Sequence, residues 1–423
     1  MTQTRTRSRG VLTTRGRAFV AAGMTLLVSG LLLGFTDITR IGVLLCALPV
    51  MAGIGARRKS LGIEVTRTVQ PFLLVPGQTA SVTVVFKNPS GKGTRLQLGQ
   101  DGVPDLLGDR PRFLLPAMEP GEVREVGYQF RCQARGRYQL GPLTLRRGDP
   151  YGLATVTSSV QGLTDILVLP RVETLGREQP HANAVGGEGS ILHMVALHGE
   201  DDVAVRSYRD GDDLRRIHWP TTAHRSTLMV RQEDHPARRR AVIVLDSRTA
   251  GHQGCGTTGS FDWAVTAAAS IAMHLADHHY ALHLASNETV ADGRTTQTIE
   301  IEDALASLAV AQLGAPQDFD DVLRWAHPLT STGGLVIAIV TDHDEAVLAR
   351  TAALRQPQET GLMILLDTAS FASPRPEPPT DRTLALAELA AGAGWSTCVA
   401  GSDMTVAQAW TSLSALSTVG TGR

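Results

Sequence analysis

The sequence predicts a mixed fold: an apolar helical hairpin at the N-terminus, a β domain after it, and a doubly wound α/β domain at the C-terminus. Three observations predict it. Two uncharged apolar runs lie within the first 60 residues, alternating apolar and polar positions separated by Gly- and Pro-containing turns follow them, and the last part of the chain alternates continuous apolar strands with helical patterns. With 423 residues, 43% of them hydrophobic, the chain has enough apolar material to build these domains.

The first 60 residues predict a basic N-terminus followed by two membrane-spanning helices. Ala18–Phe35 is uncharged, and at about 1.5 Å per residue it spans roughly 27 Å as a helix. The polar break TDITR follows, and then Ile41–Ala56 forms a second uncharged run that ends at Arg57–Lys59. A secretory signal peptide is the alternative, but it does not explain the second run.

Basic residues at the ends of the hairpin predict its orientation. Five arginines precede the first run and Arg57–Lys59 follow the second, whereas the break between the runs holds Arg40 alone. Because positively charged flanks stay in the cytoplasm, we expect a multi-pass protein of the cell membrane with both termini and the soluble domains inside. The lipid bilayer is thus the first expected partner, and an extracytoplasmic adhesion module is the alternative.

Residues 61–170 predict a β domain. Ala80–Asn88 and Gly121–Cys132 alternate apolar and polar side chains as half-buried strands do, and turns rich in Gly and Pro separate such runs. Short strands of this kind favour an antiparallel β-sandwich of immunoglobulin type. Arg135–Leu153 resembles a hairpin that ends in the turn Asp149-Pro150-Tyr151-Gly152. We expect this domain to be a scaffold or interaction module.

Residues 238–423 predict the α/β domain. Ala241–Asp246 is a continuous apolar strand ending in an acid, and Phe261–Asp277 has apolar residues at helical spacing. Ligands of such domains bind at the carboxyl ends of the strands. Further strands are predicted at 281–286, 333–342, 361–367 and 396–402, and further helices at Asp303–Gln312, Asp318–Ala326, Glu345–Arg355 and Thr383–Ala391.

Two acids follow strands of this domain, Asp246 after the first and Asp342 after Gly333–Thr341. This arrangement resembles the von Willebrand factor A domain, in which an aspartate begins an Asp-x-Ser-x-Ser metal loop and a later strand brings another. The resemblance implies a Mg²⁺ site that keeps a position open for a partner's carboxylate. Here Arg248 and Ala250 replace the two serines, and a guanidinium opposes a cation. We therefore expect no cofactor and interpret both acids as caps of a strand or helix.

A densely charged segment, Arg206–Ser226, lies in the predicted linker at 171–237 and has a Trp inside it. Three roles stay open. Arginine–carboxylate pairs could clamp the linker, the arginines could bind an acidic partner segment or an anion, or His218 with Asp212 could act as an acid/base pair. The residues singled out for the clamp or the binding site are Arg206, Tyr208, Arg209, Asp212, Arg215, His218, Trp219 and Arg225.

This segment closely resembles the signature of the bacterial "domain of unknown function 58" family. Its departures are Pro220 after the Trp and His224 where a second arginine is commoner. The resemblance extends to the layout of membrane helices, β domain, signature and von Willebrand A-like domain. It implies an adaptor that works with a MoxR-type AAA+ ATPase in complex assembly or envelope maintenance. The matching residues are Arg206, Tyr208, Gly211, Asp212, Arg215, Ile217, His218, Trp219, Ala223 and Glu233.

The expected function is that of a membrane-anchored cytoplasmic interaction protein without catalytic activity. The sequence has no phosphate-binding GxxxxGK[ST] loop and no GxSxG nucleophile elbow, and its net charge of -1 supplies no field for nucleic acid. Its four cysteines form neither a zinc-ribbon pattern nor a disulfide framework. The alternative from another class is a metal-dependent or His/Asp-based hydrolase centred on Arg206–Asp234.

Overall fold

The chain forms two compact units, Met1–Pro170 and Arg171–Arg423, which are described separately. The first holds two apolar helices and antiparallel sheets, and the second holds a parallel sheet with helices. The computed structural model describes residues 6–57, 63–160, 162–176, 205–207, 229–231, 239–293, 297–331, 333–357, 359–373 and 378–419.

The two apolar runs form helices α1 (Thr14–Leu33) and α2 (Thr36–Arg57), each long and apolar enough to cross a membrane. Gly34 has a φ of 73°, and this left-handed conformation ends α1, with the Phe35 N–H bonded to the Gly30 carbonyl at 3.0 Å. The predicted polar break was misplaced, because Gly34 and Phe35 make the connection and TDITR forms the start of α2.

Buried glycines of α1 let the two helices approach closely. Gly16, Gly23 and Gly30 are the buried residues of α1 and recur every seven positions, so they share one face of the helix. A Cβ on Gly23 would lie 2.7 Å from Cys46 Sγ and 2.9 Å from the Gly42 carbonyl oxygen of α2. The contact therefore requires glycine at position 23.

We predict that Gly23→Ala separates α1 from α2, because the added methyl group overlaps backbone atoms that cannot rotate away. The native thiol of Cys46 reports this: a maleimide should label it faster in Gly23→Ala than in the parent chain in detergent. Cys132 and Cys398 are buried and the exposed Cys255 is replaced by serine, so Cys46 is the thiol read out. The control is Gly53→Ala in α2, where a Cβ meets nothing within 4 Å. Equal labelling rates in both variants would contradict the prediction.

The antiparallel sheets of the first unit surround one apolar core. In the strand Thr79–Lys87, alternate residues point inward: Ala80, Val82, Val84 and Phe86 are buried. The strands are β1 Thr6–Leu12, β2 Glu64–Gln70, β3 Thr79–Lys87, β4 Gln97–Gln100, β5 Arg112–Leu115, β6 Val123–Arg131, β7 Gly136–Leu140, β8 Leu143–Gly148, β9 Ala154–Val160 and β10 Thr164–Val168, with a 3-10 turn at Asp105–Leu107.

These strands form a five-stranded sheet in the order β1-β9-β8-β4-β5, a three-stranded sheet β2-β3-β6, and a pair β10-β7. Strand β1 is a departure from expectation, since its residues were predicted only as a basic flank of the hairpin. It pairs antiparallel with β9, from Thr6 opposite Val160 to Leu12 opposite Ala154. Thr13 alone separates β1 from α1. The β domain therefore begins before the hairpin and resumes after it.

Arg135–Leu153 was predicted as a hairpin-like run, but β7 and β8 within it do not pair with each other: β7 pairs with β10 and β8 pairs with β9, and the chain turns back at Asp149–Leu153. We define the β-ribbon as β7 and β8 running against β9 and β10, with Leu140 opposite Thr164, Leu143 opposite Val160 and Gly148 opposite Thr155. Its tip is Asp149–Leu153. There the Asp149 carboxylate accepts hydrogen bonds from the backbone N–H groups of Tyr151 (3.0 Å) and Ala154 (2.6 Å), which fixes the turn.

The second unit contains the predicted parallel sheet. Its strands are β13 Arg240–Leu245, β14 Ala281–Ala285, β15 Leu335–Thr341, β16 Gly361–Leu366 and β17 Ser396–Ala400, in the order β14-β13-β15-β16-β17 with every pairing parallel. All residues of β15 and β16 are buried, which explains their unbroken apolar sequence. A separate antiparallel pair joins β11 Val205–Ser207 to β12 Met229–Arg231.

Helices cover the parallel sheet. They are α3 Ser260–Asp277, α4 Asn287–Ala291, α5 Ile301–Val310, α6 Pro316–Thr330, α7 Glu345–Ala352, α8 Thr368–Ala372, α9 Asp381–Gly392 and α10 Val406–Val419, with 3-10 turns at Thr249–Gly251 and Gly256–Thr258. One apolar cluster joins alternate sheet residues such as Val242 and Val244 to α6, α7 and α9. Helix α3 also contacts β13, and α10 packs against α3 and β17. The short helices α4 and α8 and the last helix, α10, were not predicted from the sequence.

Candidate functional site

The candidate site lies where the parallel strands end. We call the residues that directly follow β13, β15 and β16 the carboxyl edge: Asp246–Arg248, Asp342–Asp344 and Asp367–Thr368. β13 lies between β14 and β15: the next strand in the chain, β14, is on one side of it, and β15, β16 and β17 follow on the other. Open parallel sheets bind their ligands at the carboxyl ends of strands beside such a reversal of strand order. Asp246 and Thr341 meet at this point.

Asp246 is fully buried, and its carboxylate forms an ion pair with the guanidinium of Arg248. Arg248 donates from Nε to Oδ1 at 3.0 Å and from Nη2 to Oδ2 at 2.7 Å, a two-point pairing of planar groups. Thr341 adds its hydroxyl to Oδ2 at 2.9 Å, and the Arg248 backbone N–H donates to Oδ1 at 3.1 Å. Both carboxylate oxygens therefore already accept hydrogen bonds from more than one donor.

This arrangement does not fit a divalent cation at Asp246. Burial alone would raise the pKa of Asp246, but the hydrogen bonds and positive charge of Arg248 outweigh it and hold the pKa below its usual range. A metal ion would have to displace a buried guanidinium that is itself 3% exposed. In the described part of the chain, no group of three His, Cys, Asp or Glu side chains is placed to hold a metal ion.

Asp342, the second acid of the metal site that the von Willebrand A resemblance implied, binds different partners from Asp246. Its Oδ1 accepts from the Thr368 hydroxyl at 2.7 Å, and its Oδ2 accepts from the Thr383 hydroxyl at 2.7 Å. Thr368 begins α8 and Thr383 lies in the first turn of α9, so the carboxylate links the end of β15 to two helix starts. Its contacts are those of a structural residue.

His252 belongs to the same cluster and was not predicted from the sequence. Its ring is buried, with Nε2 2.9 Å from the Asp246 carbonyl oxygen and Nδ1 2.9 Å from Ser260 Oγ. Because a carbonyl oxygen only accepts, Nε2 carries the hydrogen, and in the neutral ring Nδ1 is left to accept from the Ser260 hydroxyl. Burial lowers the pKa of His252 below its usual value despite the nearby Asp246. No local motif marks this histidine, since only folding brings it to the carboxyl edge.

We predict that the second unit loses stability as the pH falls below about 6.5, the pKa of an unfolded histidine. The unfolded chain then takes up a proton that the buried His252 resists, so the free energy of unfolding falls by up to about 1.4 kcal/mol per pH unit until the lowered pKa is reached. Urea titrations at pH 5.5 and 7.5 measure the difference. His252→Gln should reduce it, whereas replacing the exposed His327 by glutamine should leave it intact. A pH difference unaffected by His252→Gln would contradict this origin.

Of the charged segment Arg206–Ser226, the structure describes Arg206 and Ser207. Arg206 lies on β11 opposite Val230 of β12, and Ser207 lies opposite Met229. The proposed clamp, binding and acid/base roles of the segment therefore stay predictions. The other residues singled out for these roles, which lie outside the described residues, are Tyr208, Arg209, Asp212, Arg215, His218, Trp219 and Arg225.

Comparison with protein families gives a match over this part of the chain. Residues 204–291 match the family "Protein of unknown function DUF58". The match begins one residue before β11 and ends with α4, so it includes the charged segment, Asp246 and Arg248. It supports a relationship to this family over that region, as the resemblance of Arg206–Asp234 predicted.

A curated relative agrees with the family match. The uncharacterized protein YeaD of Bacillus subtilis (strain 168) is 25% identical over 123 residues, which are 29% of this chain and 31% of that protein. The alignment thus spans under a third of the relative's length.

Solved structures give weak matches. The CARDB domain of the PF1109 protein from Pyrococcus furiosus, in complex with di-metal ions, is 14% identical over 25% of this chain and 93% of that chain, with a TM-score of 0.18. The sporulation control protein Spo0M from Bacillus subtilis is 14% identical over 35% of this chain and 58% of that chain, with a TM-score of 0.14. Scores this low do not establish a shared fold.

Proposed function

We propose that this protein is a membrane-anchored cytoplasmic adaptor that works with a MoxR-type AAA+ ATPase in complex assembly or envelope maintenance. The membrane anchoring is supported by the connection between the apolar hairpin and the β domain, whereas the adaptor role and the ATPase partner rest on the resemblance of Arg206–Asp234 to its family. Strand β1 enters the five-stranded sheet just before α1, and β2 enters the three-stranded sheet after α2. A folded domain cannot lie on both sides of a bilayer, so a spanning hairpin must cross it twice and return.

The soluble units support an interaction role in this proposal. We infer that the β domain is an immunoglobulin-type sandwich, supported by its sheets of alternating burial around one core. We also infer that the second unit is von Willebrand A-like, supported by its doubly wound parallel sheet with Asp246 at the carboxyl edge. With Arg248 paired to Asp246, this module would contact a partner through protein groups and without a bridging cation.

The orientation can be tested with a native cysteine. Cys255 in the second unit is exposed, whereas Cys132 and Cys398 are buried. A membrane-impermeant maleimide should leave Cys255 unlabelled in intact cells and label it after permeabilisation. Thr36→Cys, placed at the start of α2 in a Cys255→Ser chain, should already be labelled in intact cells. Labelling of Cys255 in intact cells would overturn the proposed orientation in favour of the extracytoplasmic alternative.

The partner is tested by crosslinking in intact cells, followed by affinity purification from detergent-solubilised membranes and mass spectrometry. We expect an AAA+ ATPase to be enriched with the full chain and depleted when Arg209 and Arg215 are both replaced by alanine. The control replaces Arg324 and Arg350, which form exposed ion pairs in the second unit. Recovery of other membrane complexes without any ATPase would contradict the adaptor proposal.

A further inference from the structure

We propose that the tip of the β-ribbon, Asp149–Leu153, binds the phospholipid headgroup layer and seats the β domain directly on the bilayer. The inference rests on the proposed membrane anchoring and names a second lipid contact beyond the two helices. The hydrogen bonds of the turn and the membrane insertion of the two helices could both exist without this lipid contact.

The tip is bonded to the start of the first apolar helix. The Thr13 backbone N–H donates to the Leu153 carbonyl at 2.9 Å, and the Thr13 hydroxyl donates to the Gly152 carbonyl at 2.6 Å. One turn into α1, a Cβ on Gly16 would overlap the Leu153 carbonyl oxygen, so the helix and the tip are in direct contact. The tip therefore lies at the level of the first turn of α1.

That level corresponds to the headgroup layer. The uncharged run begins at Ala18, five residues after Thr13, which is about 7–8 Å along a helix. The headgroup region on each side of the hydrocarbon core is about 5–8 Å thick. If the hydrocarbon begins near Ala18, a segment bonded to Thr13 lies among the headgroups. With Thr13 as the only residue between β1 and α1, the sheet has no linker with which to stand away from the membrane.

The chemistry of the tip suits this layer. Tyr151 is 72% exposed although it is aromatic, and the Asp149 carboxylate holds its backbone in place. An aromatic ring with a hydroxyl favours the boundary between headgroups and hydrocarbon. Arg15 and Arg17, exposed in the first turn of α1, provide positive charge for lipid phosphates at the same level.

A photo-crosslinking experiment tests the contact. The full chain is reconstituted in vesicles of phosphatidylethanolamine and phosphatidylglycerol, with the photoreactive amino acid p-benzoylphenylalanine at one position at a time. Position 151 is the test, and position 32, which is 82% exposed on α1, reports membrane insertion. Position 72 is the control: Phe72 is 91% exposed and lies two residues from Leu74, which pairs with Val168 at the far end of the β-ribbon.

We expect lipid adducts at positions 32 and 151 and none above the unirradiated background at position 72. Adducts at 32 without any at 151 would overturn the tip contact and leave the membrane anchor standing. An absence of adducts at 32 would overturn the anchor, and the tip contact with it. Equal adducts at 72 and 151 would show that lipid reaches any exposed aromatic position of the domain, which also overturns a specific contact at the tip.

Discussion

Arg248→Ala is expected to lower the free energy of unfolding of the second unit by about 3–5 kcal/mol, because it leaves the buried Asp246 carboxylate without its counter-charge. The loss exceeds that of an ordinary hydrogen bond, since two donors disappear from a site that water does not reach. The second unit can be followed separately. All five tryptophans lie between positions 219 and 410, so denaturant titration of the full chain monitored by tryptophan fluorescence reports on it.

The control for this prediction is Arg350→Ala, which removes a 2.8 Å ion pair with Asp320 on a half-exposed surface. Exposed pairs of this kind contribute at most about 1 kcal/mol. A double-mutant cycle adds a second check. Asp246→Ala in the parent chain leaves the buried Arg248 guanidinium unpaired, whereas in the Arg248→Ala background no guanidinium remains. The second substitution should therefore reduce the free energy of unfolding much less in that background than in the parent chain. Similar losses for Arg248→Ala and Arg350→Ala would contradict the assignment of a buried pair.

Arg67→Ala should have an effect of similar size on the first unit, again about 3–5 kcal/mol, because Arg67 is the counter-ion of the buried Asp101. Its Nε and Nη2 donate to the two carboxylate oxygens at 2.9 and 2.7 Å, and its Nη1 donates to the Gly162 carbonyl at 2.6 Å. Tyr128 adds its hydroxyl to Asp101 at 2.9 Å. Burial first, and then the charge of Asp101, raise the pKa of Tyr128, so it stays neutral and donates.

Hydrogen exchange measured by mass spectrometry can read this loss in the full chain. Peptides from residues 63–160 should exchange faster in Arg67→Ala, whereas peptides from 239–293 should be unchanged. Arg110→Ala is the matched control, since its pair with Asp105 is 3.7 Å long and largely exposed. Arg67→Lys should be intermediate, because an ammonium group cannot reproduce the two-point geometry. Unchanged exchange in Arg67→Ala would contradict the prediction.

The two buried ion pairs differ in how well the local sequence indicates them. Arg248 stands two residues from Asp246, so the sequence placed a guanidinium near the site and argued against a cation there, but it interpreted Asp246 as a cap and not as the ion-pair partner of Arg248. Arg67 and Asp101 are separated by 34 residues, and nothing in either neighbourhood marks them as partners. Both pairs have nearly the same geometry, so the difference in predictability comes from sequence separation and not from chemistry.

Periodicity and local composition determined the two apolar helices, the alternating strands of the β domain and the continuous apolar strands of the parallel sheet. Each of these patterns reflects how neighbouring side chains divide between apolar surroundings and water, which the local order of residues specifies. The same applies to the turn at Asp149–Gly152, whose side-chain bonds span only a few residues.

Only the tertiary structure decided which distant residues meet. It paired β1 with β9 across about 150 residues, placed Leu153 against Gly16, and brought the Thr341 hydroxyl to the Asp246 carboxylate. It also decided that the two acids at the carboxyl edge have separate partners. Strand pairing and close backbone approach depend on the packing of the whole domain, so a residue's own neighbours carry little information about its distant contacts.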